Sequence, residues 1–193
     1  EEKICKYIDL PLQHADADVL KRMNRTGDEK SLLALVQKLR ERIPGVIIRT
    51  TVMVGFPGET EENFETLSRF VEEARFDRLG CFAFSPEEGT LAAKMENQLE
   101  PEVKEHRAEL IMEQQYRIFE EKQNEKIGKT FKVIVDGFDE ENLFYTGRTY
   151  MDCLEIDSIV IISTEEELLP GDFVSVKIIA TEDCDLVGEV VTG

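Results

Sequence analysis

Apolar residues follow two different periods along this chain, and the change falls near residue 127. Before it, short runs of apolar and β-branched residues alternate with stretches where apolar residues return every three or four positions. Those are the patterns of buried strands and of amphipathic helices. Strands are predicted over 4–10, 46–54 and 79–84. Between the first two, Asp16 or Asp18 caps a short helix carrying Val19, Leu20 and Met23. A longer helix follows, capped near 26–28, with Leu32, Leu33, Leu35, Val36 and Leu39 on its apolar face, and Pro44-Gly45 closes it. A helix over 61–74, capped by Thr60, carries Phe64, Leu67, Phe70 and Val71. Strands alternating with helices imply parallel pairing and right-handed crossovers.

Pro101 suits a first helical position, and 102–126 reads as one helix with Val103, Ala108, Leu110, Ile111, Tyr116, Ile118 and Phe119 for packing. A helix of this length is expected to act as a strut joining two parts. From 127 on, the period becomes two. Strands are expected over 129–136, 143–150, 158–162, 173–180 and 186–191, split by Gly, Asp, Asn and Pro turns, which suits a small Greek-key barrel of the OB type. The expected class is therefore α/β plus all-β: strands alternating with helices over 1–126, then a five-stranded barrel over 127–193.

The stretch from Thr50 to Thr60 stands out within the first part. A buried strand runs into Gly55, Pro57 and Gly58, which break it, and Thr60 then starts a helix with Glu61 and Glu62 in its first turn. Such a turn lies at the carboxyl end of its strand, where α/β sheets bind ligands. The pattern alone equally suits a βα turn that binds nothing.

Charge changes this picture more than composition does. The chain of 193 residues holds 23 Lys and Arg against 41 Asp and Glu, a net charge of −18. Residues 127–193 hold four basic against fifteen acidic side chains, a balance of −11, so the smaller part carries the larger charge. Polyanions are poor partners for such a surface. No apolar run approaches the roughly 18 residues of a membrane span, and a soluble, cytoplasmic protein is expected. Cys5, Cys81, Cys153 and Cys184 are too far apart to form a metal or redox motif. They read as reduced, structural residues, with Cys5 and Cys81 in the core. With only His14 and His106, no histidine-rich metal site is expected. The opening at Glu1, directly before a strand, suggests the carboxyl part of something longer.

An ordered set of stretches carries a resemblance. Tyr7-Ile8-Asp9-Leu10-Pro11-Leu12-Gln13-His14, Ile48-Arg49-Thr50-Thr51, Val54-Gly55-Phe56-Pro57-Gly58-Glu59-Thr60, Phe76-Asp77-Arg78-Leu79-Gly80 and Phe84-Ser85-Pro86-Glu87-Glu88-Gly89-Thr90 follow one another as in the radical S-adenosylmethionine methylthiotransferases. The β-rich part that follows resembles a TRAM domain. The wording is closer to the branch that modifies an aspartate of a small-subunit ribosomal protein than to the MiaB-type branch, which modifies an adenosine in tRNA. The acidic second domain agrees, since gripping RNA takes Lys and Arg, whereas an acidic face suits a basic ribosomal protein. A non-catalytic acidic adaptor for a basic protein is the alternative of a different kind.

The resemblance implies a partial (βα) radical-SAM barrel over 1–126 and, as cofactors, S-adenosylmethionine and two 4Fe-4S clusters, one cluster held by a CxxxCxxC loop. In the family the cluster cleaves S-adenosylmethionine, the resulting radical takes hydrogen from the β-carbon of the aspartate, sulfur is inserted, and a second S-adenosylmethionine supplies the methyl group. No CxxxCxxC occurs in this chain, so it is expected to carry no cluster ligands and, alone, to be inactive. The resemblance also implies cofactor contacts. Gln13 offers an amide just past the first strand, and His14 beside it could touch cofactor or substrate. Arg49 and Thr51 could hold carboxylate or ribose hydroxyls, while Val54, Gly55 and Phe56 would wall the adenine. Phe82 to Ser85 would give backbone groups to its edge. Each has a plainer reading: Gln13 and His14 as strand-end caps, Arg49 as the partner of a nearby acid, and Glu59 as a first-turn carboxylate.

Overall fold

The computed structural model describes residues 3–191. Eight strands and four helices follow in order: β1 (Tyr7–Asp9), α1 (Ala17–Arg22), α2 (Glu29–Arg42), β2 (Ile47–Val54), α3 (Glu61–Ala74), β3 (Arg78–Ala83), α4 (Pro101–Asn124), β4 (Thr130–Asp139), β5 (Phe144–Arg148), β6 (Val160–Ser163), β7 (Phe173–Glu182) and β8 (Asp185–Val190). Contacts divide the chain into two compact units, one of Ile8–Ile118 and one that joins the residues up to Tyr7 to those from Phe119 onward.

In the first unit the sheet has the order β1-β2-β3, with β2 and β3 parallel in the register Arg49 to Arg78 through Val54 to Ala83. The helices start where local chemistry tells them to. The Asp16 carboxylate accepts from the Asp18 and Val19 amides to begin α1. Reciprocal capping boxes, Asp28 with Ser31 and Thr60 with Asn63, begin α2 and α3. Ile48, Val52 and Val54 on one face of β2 pack with Phe64, Leu67, Phe70 and Val71 of α3 and with Phe76 in the main core. Arg40 of α2 donates to the carbonyls of Ala74 and Arg75, capping the end of α3.

The second unit is a closed barrel, β4-β5-β6-β8-β7. All its pairs are antiparallel except β6 with β8. Register shifts between Val135 and Gly137 and between Ile178 and Ala180 bend β4 and β7 enough to close it. Val133, Val135, Val160, Ile162, Val176, Ile178 and Leu186 fill the interior. At Gly188 a Cβ would lie 2.4 Å from Val176 Cγ1 and 2.8 Å from the Lys177 carbonyl, so the strands approach too closely for any side chain there.

Three expectations are corrected. Cys5 is exposed, because β1 begins only at Tyr7 and the preceding residues form a turn; Cys81 is half-buried and Cys184 is the buried cysteine, while Cys153 is exposed. The buried residues of α4 are Lys104, Arg107, Ile111, Gln114, Gln115, Ile118 and Gln123, whereas Val103, Leu110 and Tyr116, expected to pack, are exposed. Glu59, read as a first-turn carboxylate, is buried. Among the described residues no helix is long and apolar enough to cross a membrane.

Candidate functional site

The carboxyl ends of β2 and β3 form the centre of the candidate site. Gln13 reaches it by an unusual backbone route. Its φ is +71°, a conformation uncommon for a residue with a side chain, and it is held there because its N–H donates to the Thr51 carbonyl (2.8 Å) while its carbonyl accepts from Met53 N–H (2.7 Å). These bonds extend the parallel ladder past β1 and pair Gln13 with Val52.

Gln13, Met53, Phe56 and Phe84 line a cavity of about 400 Å³, completed by Met95 and by Arg22 and Arg25 from the end of α1 and the turn after it. The Phe56 and Phe84 rings meet edge to face at 5.1 Å. Of the expected contacts, Gln13 and Phe56 therefore share this cavity. Arg49 and Thr51 lie on the same face of β2 as Met53, the face opposite Thr50, Val52 and Val54. In register, Gly80 and Phe82 stand beside Thr51 and Met53, and Phe82 is 60% exposed. Ser85 is exposed just past β3, whereas Val54 and Gly55 are buried behind the turn.

His14 does not line the cavity. It is wholly buried, its Nδ1 accepts from Asp16 N–H (3.0 Å), and Nε2, which must then carry the proton, stands 3.4 Å from Glu59 Oε2. Glu59 is the hub of this layer. Its Oε2 accepts from Gly55 N–H (2.9 Å) and its Oε1 from Arg107 Nη1 (2.7 Å), while Arg107 Nη2 donates to Glu61 (2.8 Å) and its guanidinium lies over the Phe64 ring. Burial opposes ionisation of Glu59, but His14, the Gly55 amide and Arg107 outweigh it and hold the carboxyl below the usual range. Burial first, and the Glu59 charge second, push the Cys81 thiol up to about 12. The turn that walls the cavity is thus fastened from behind by a charged network that the sequence reading missed. Arg107 is 48 residues from Glu59, and no local spacing signals the pair.

Residues 1–71 match the family model for the Radical SAM superfamily, and residues 127–191 match that for the TRAM domain. The two matches place a radical SAM segment ahead of a TRAM domain in one chain. The relatives it resembles over nearly its whole length are methylthiotransferases.

It is 48% identical over 188 residues to the ribosomal protein uS12 methylthiotransferase RimO of Caldanaerobacter subterraneus, covering 97% of this chain and 42% of that protein. It is 45% identical over 192 residues to RimO of Alkaliphilus oremlandii (99% and 44%) and 47% identical over 189 residues to RimO of Clostridioides difficile (98% and 42%). The chain thus spans less than half the length of these relatives. The solved structure of the coproporphyrinogen III oxidase HemN of Escherichia coli aligns with a TM-score of 0.45 at 21% identity, over 60% of this chain and 26% of that one.

The two cofactors that the resemblance implies fit the residues differently. Among the described residues no three His, Cys, Asp or Glu side chains gather where they could hold a metal ion, so these residues offer no ligand set for an iron-sulfur cluster. The cavity does fit an organic cofactor with an aromatic base. Its walls are apolar and aromatic, Gln13 supplies an amide, and the buried Nε of Arg22 has no hydrogen-bond partner in the protein.

Proposed function

We propose that this chain is part of a methylthiotransferase that adds a methylthio group to the β-carbon of an aspartate in ribosomal protein uS12. The identity of 41–48% to RimO proteins over nearly the whole chain is the observation that carries this reading. Residues 1–126 supply part of the S-adenosylmethionine-binding barrel, and residues 127–193 form the TRAM domain. Bound S-adenosylmethionine, with an iron-sulfur cluster, would supply the radical chemistry and the methyl group.

The chain's own residues bind and orient. Phe56 walls the adenine, with Val54 and Gly55 holding the turn behind it; Phe82 and Ser85 bring strand-end groups to its edge, and Gln13, Arg49 and Thr51 take the polar parts of the cofactor. His14 supports the wall from behind through Glu59. The two 4Fe-4S clusters take their ligands from outside these 193 residues, which alone are inactive. The balance of −11 over 127–193 favours a basic protein partner over tRNA, through complementary potentials that speed encounter. The reaction then takes place in the cytoplasm, with the ribosome.

The test is to supply a full-length protein containing this segment with S-adenosylmethionine, a reductant, and either small ribosomal subunits or tRNA. Mass spectrometry should find one methylthio group on an aspartate of uS12. Modification of tRNA alone, or of neither, would overturn the reading.

A further inference from the structure

At one end of the barrel, apolar side chains stand exposed among acids. The β4–β5 hairpin carries Asp139, Glu140 and Glu141, and the loop between β6 and β7 carries Glu165, Glu166 and Glu167. Residues 136–147 and 163–173 contain no Lys or Arg. The four bases of this domain lie on other stretches: Lys129 and Lys132 around the start of β4, Arg148 at the end of β5 and Lys177 within β7. An aromatic bridge joins the two acidic segments. The Phe138 ring packs on that of Tyr145 with centroids 4.8 Å apart, and the Tyr145 hydroxyl accepts from Leu168 N–H (3.2 Å). Leu168 is buried in the barrel core, but its neighbour Leu169 is 60% exposed, Leu143 in the hairpin is 76% exposed and Phe138 is 47% exposed. Leu143 also has a φ of +59°, a backbone that glycine or asparagine adopts more readily. The fold gains no buried area from a leucine presented to water in that conformation. Among the described residues, the carboxylates of Glu140, Glu141, Glu165, Glu166 and Glu167 have no ion-pair partner.

We propose that this end of the barrel docks a basic segment of the ribosomal protein substrate, one that presents Lys or Arg around an apolar side chain. This rests on the reading of the chain as part of a uS12 methylthiotransferase, and it gives the protein partner a place on the barrel. Charge selects the occupant. RNA and anionic lipid surfaces would meet carboxylates here and no base. A second copy of this chain, with its net charge of −18, is repelled for the same reason. A basic protein is drawn in, and Phe138, Leu143 and Leu169 supply what charge alone lacks. Apolar side chains rimmed by charge mark a protein interface, and their burial at close range separates one basic protein from another.

The experiment measures binding of the 193-residue chain to purified uS12, to polylysine and to a single-stranded RNA oligonucleotide, at low and at high salt. uS12 and polylysine should bind, more weakly as salt rises, and RNA should not. Leu143→Ser with Leu169→Ser should weaken uS12 binding about tenfold and leave polylysine binding unchanged. Glu165→Gln, Glu166→Gln and Glu167→Gln together should weaken both, and Lys177→Gln should weaken neither. Unchanged melting temperatures show that the variants fold. Independently of any variant, uS12 should shift the backbone amides of 138–143 and 165–169 in the nitrogen-15 spectrum of the parent chain. Amide shifts confined to other residues would overturn the proposal. So would equal affinity of the parent and the leucine variant for uS12, or RNA bound more tightly than uS12. In the full-length protein the leucine variant should raise KM for uS12 and leave kcat unchanged, since the surface holds the substrate and takes no part in its chemistry. Leucine-dependent binding of uS12 by a full-length protein that methylthiolates only tRNA would keep the docking surface and remove the reading of the reaction.

Discussion

Arg107 Nη1 lies 2.7 Å from Glu59 Oε1, and both side chains are withdrawn from water, with 8% and 0% of their surface exposed. The pair ties α4 to the turn after β2, the turn that forms one wall of the candidate site. Its geometry is that of a strong charge-assisted hydrogen bond, and Gly55 N–H serves the second carboxylate oxygen.

Removing one partner should therefore cost more than removing both. Arg107→Leu leaves a buried carboxylate without its cation and is expected to destabilise the first unit by about 3–5 kcal/mol. In the double variant Glu59→Gln with Arg107→Leu neither charge of the pair remains, and part of that loss should be regained. Urea midpoints for the two single variants and the double variant measure the coupling, and strictly additive losses would refute it.

The same carboxylate makes stability depend on acidity. In the folded chain Glu59 titrates below its ordinary value, since His14, Gly55 and Arg107 overcome the opposing effect of burial. A depressed folded value means that the unfolded chain takes up the proton first. The stabilisation is fully present above the unfolded value of about 4.3 and is lost as pH falls through the folded one. Urea midpoints between neutral pH and pH 3 should fall on the acid side, and Glu59→Gln should flatten that fall.

Elements whose signals are local were legible in the sequence, and the buried polar layer was not. The helix expected over 61–74 is α3, because the cap at Thr60 and the stripe of Phe64, Leu67, Phe70 and Val71 lie within one segment. Alternation and turn residues mark all five barrel strands, with ends displaced by at most three positions. On α4, by contrast, the buried face carries Lys, Arg and Gln, whose periodicity reads as a solvated surface. Gln114 faces inward to bond Ser68 and Glu72, and Gln115 to bond the Phe76 carbonyl, which are partners about 40 residues away. Gln13 was picked out by its motif, but its left-handed backbone follows from ladder bonds to β2 that appear only in three dimensions.

Two glycines with similar backbones should respond differently to the same change. Gly55 (φ +72°) and Gly89 (φ +84°) both sit in the left-handed region, where a Cβ costs about 1–2 kcal/mol. At Gly89 nothing lies within 4 Å of the added methyl, whereas at Gly55 it would fall 2.1 Å from Lys104 Cγ and 2.8 Å from Lys104 Cβ. Those atoms are at the root of a buried side chain, so α4 itself must move. Gly89→Ala should cost only the backbone term, and Gly55→Ala about 1–3 kcal/mol more. Calorimetric melting of the two variants provides the comparison, and equal shifts would show that α4 yields freely.

The cysteines should separate by chemistry in the native state. Burial, with the Glu59 carboxylate adding to it, pushes the Cys81 thiol up to about 12, so at pH 8 almost none of it is the reactive thiolate. Cys184 is buried, while Cys5 and Cys153 are exposed. Iodoacetamide at pH 8 should therefore modify Cys5 and Cys153 first, and peptide mapping should find Cys81 and Cys184 labelled only as the protein unfolds. Glu59→Gln removes the smaller of the two influences on Cys81 and leaves burial in place. Its Cys81 should stay slow as long as the fold holds. Rapid native labelling of Cys81 in the parent chain would mean that the wall behind the candidate site opens to solvent, and the fastening role of Glu59 and Arg107 would fail with it.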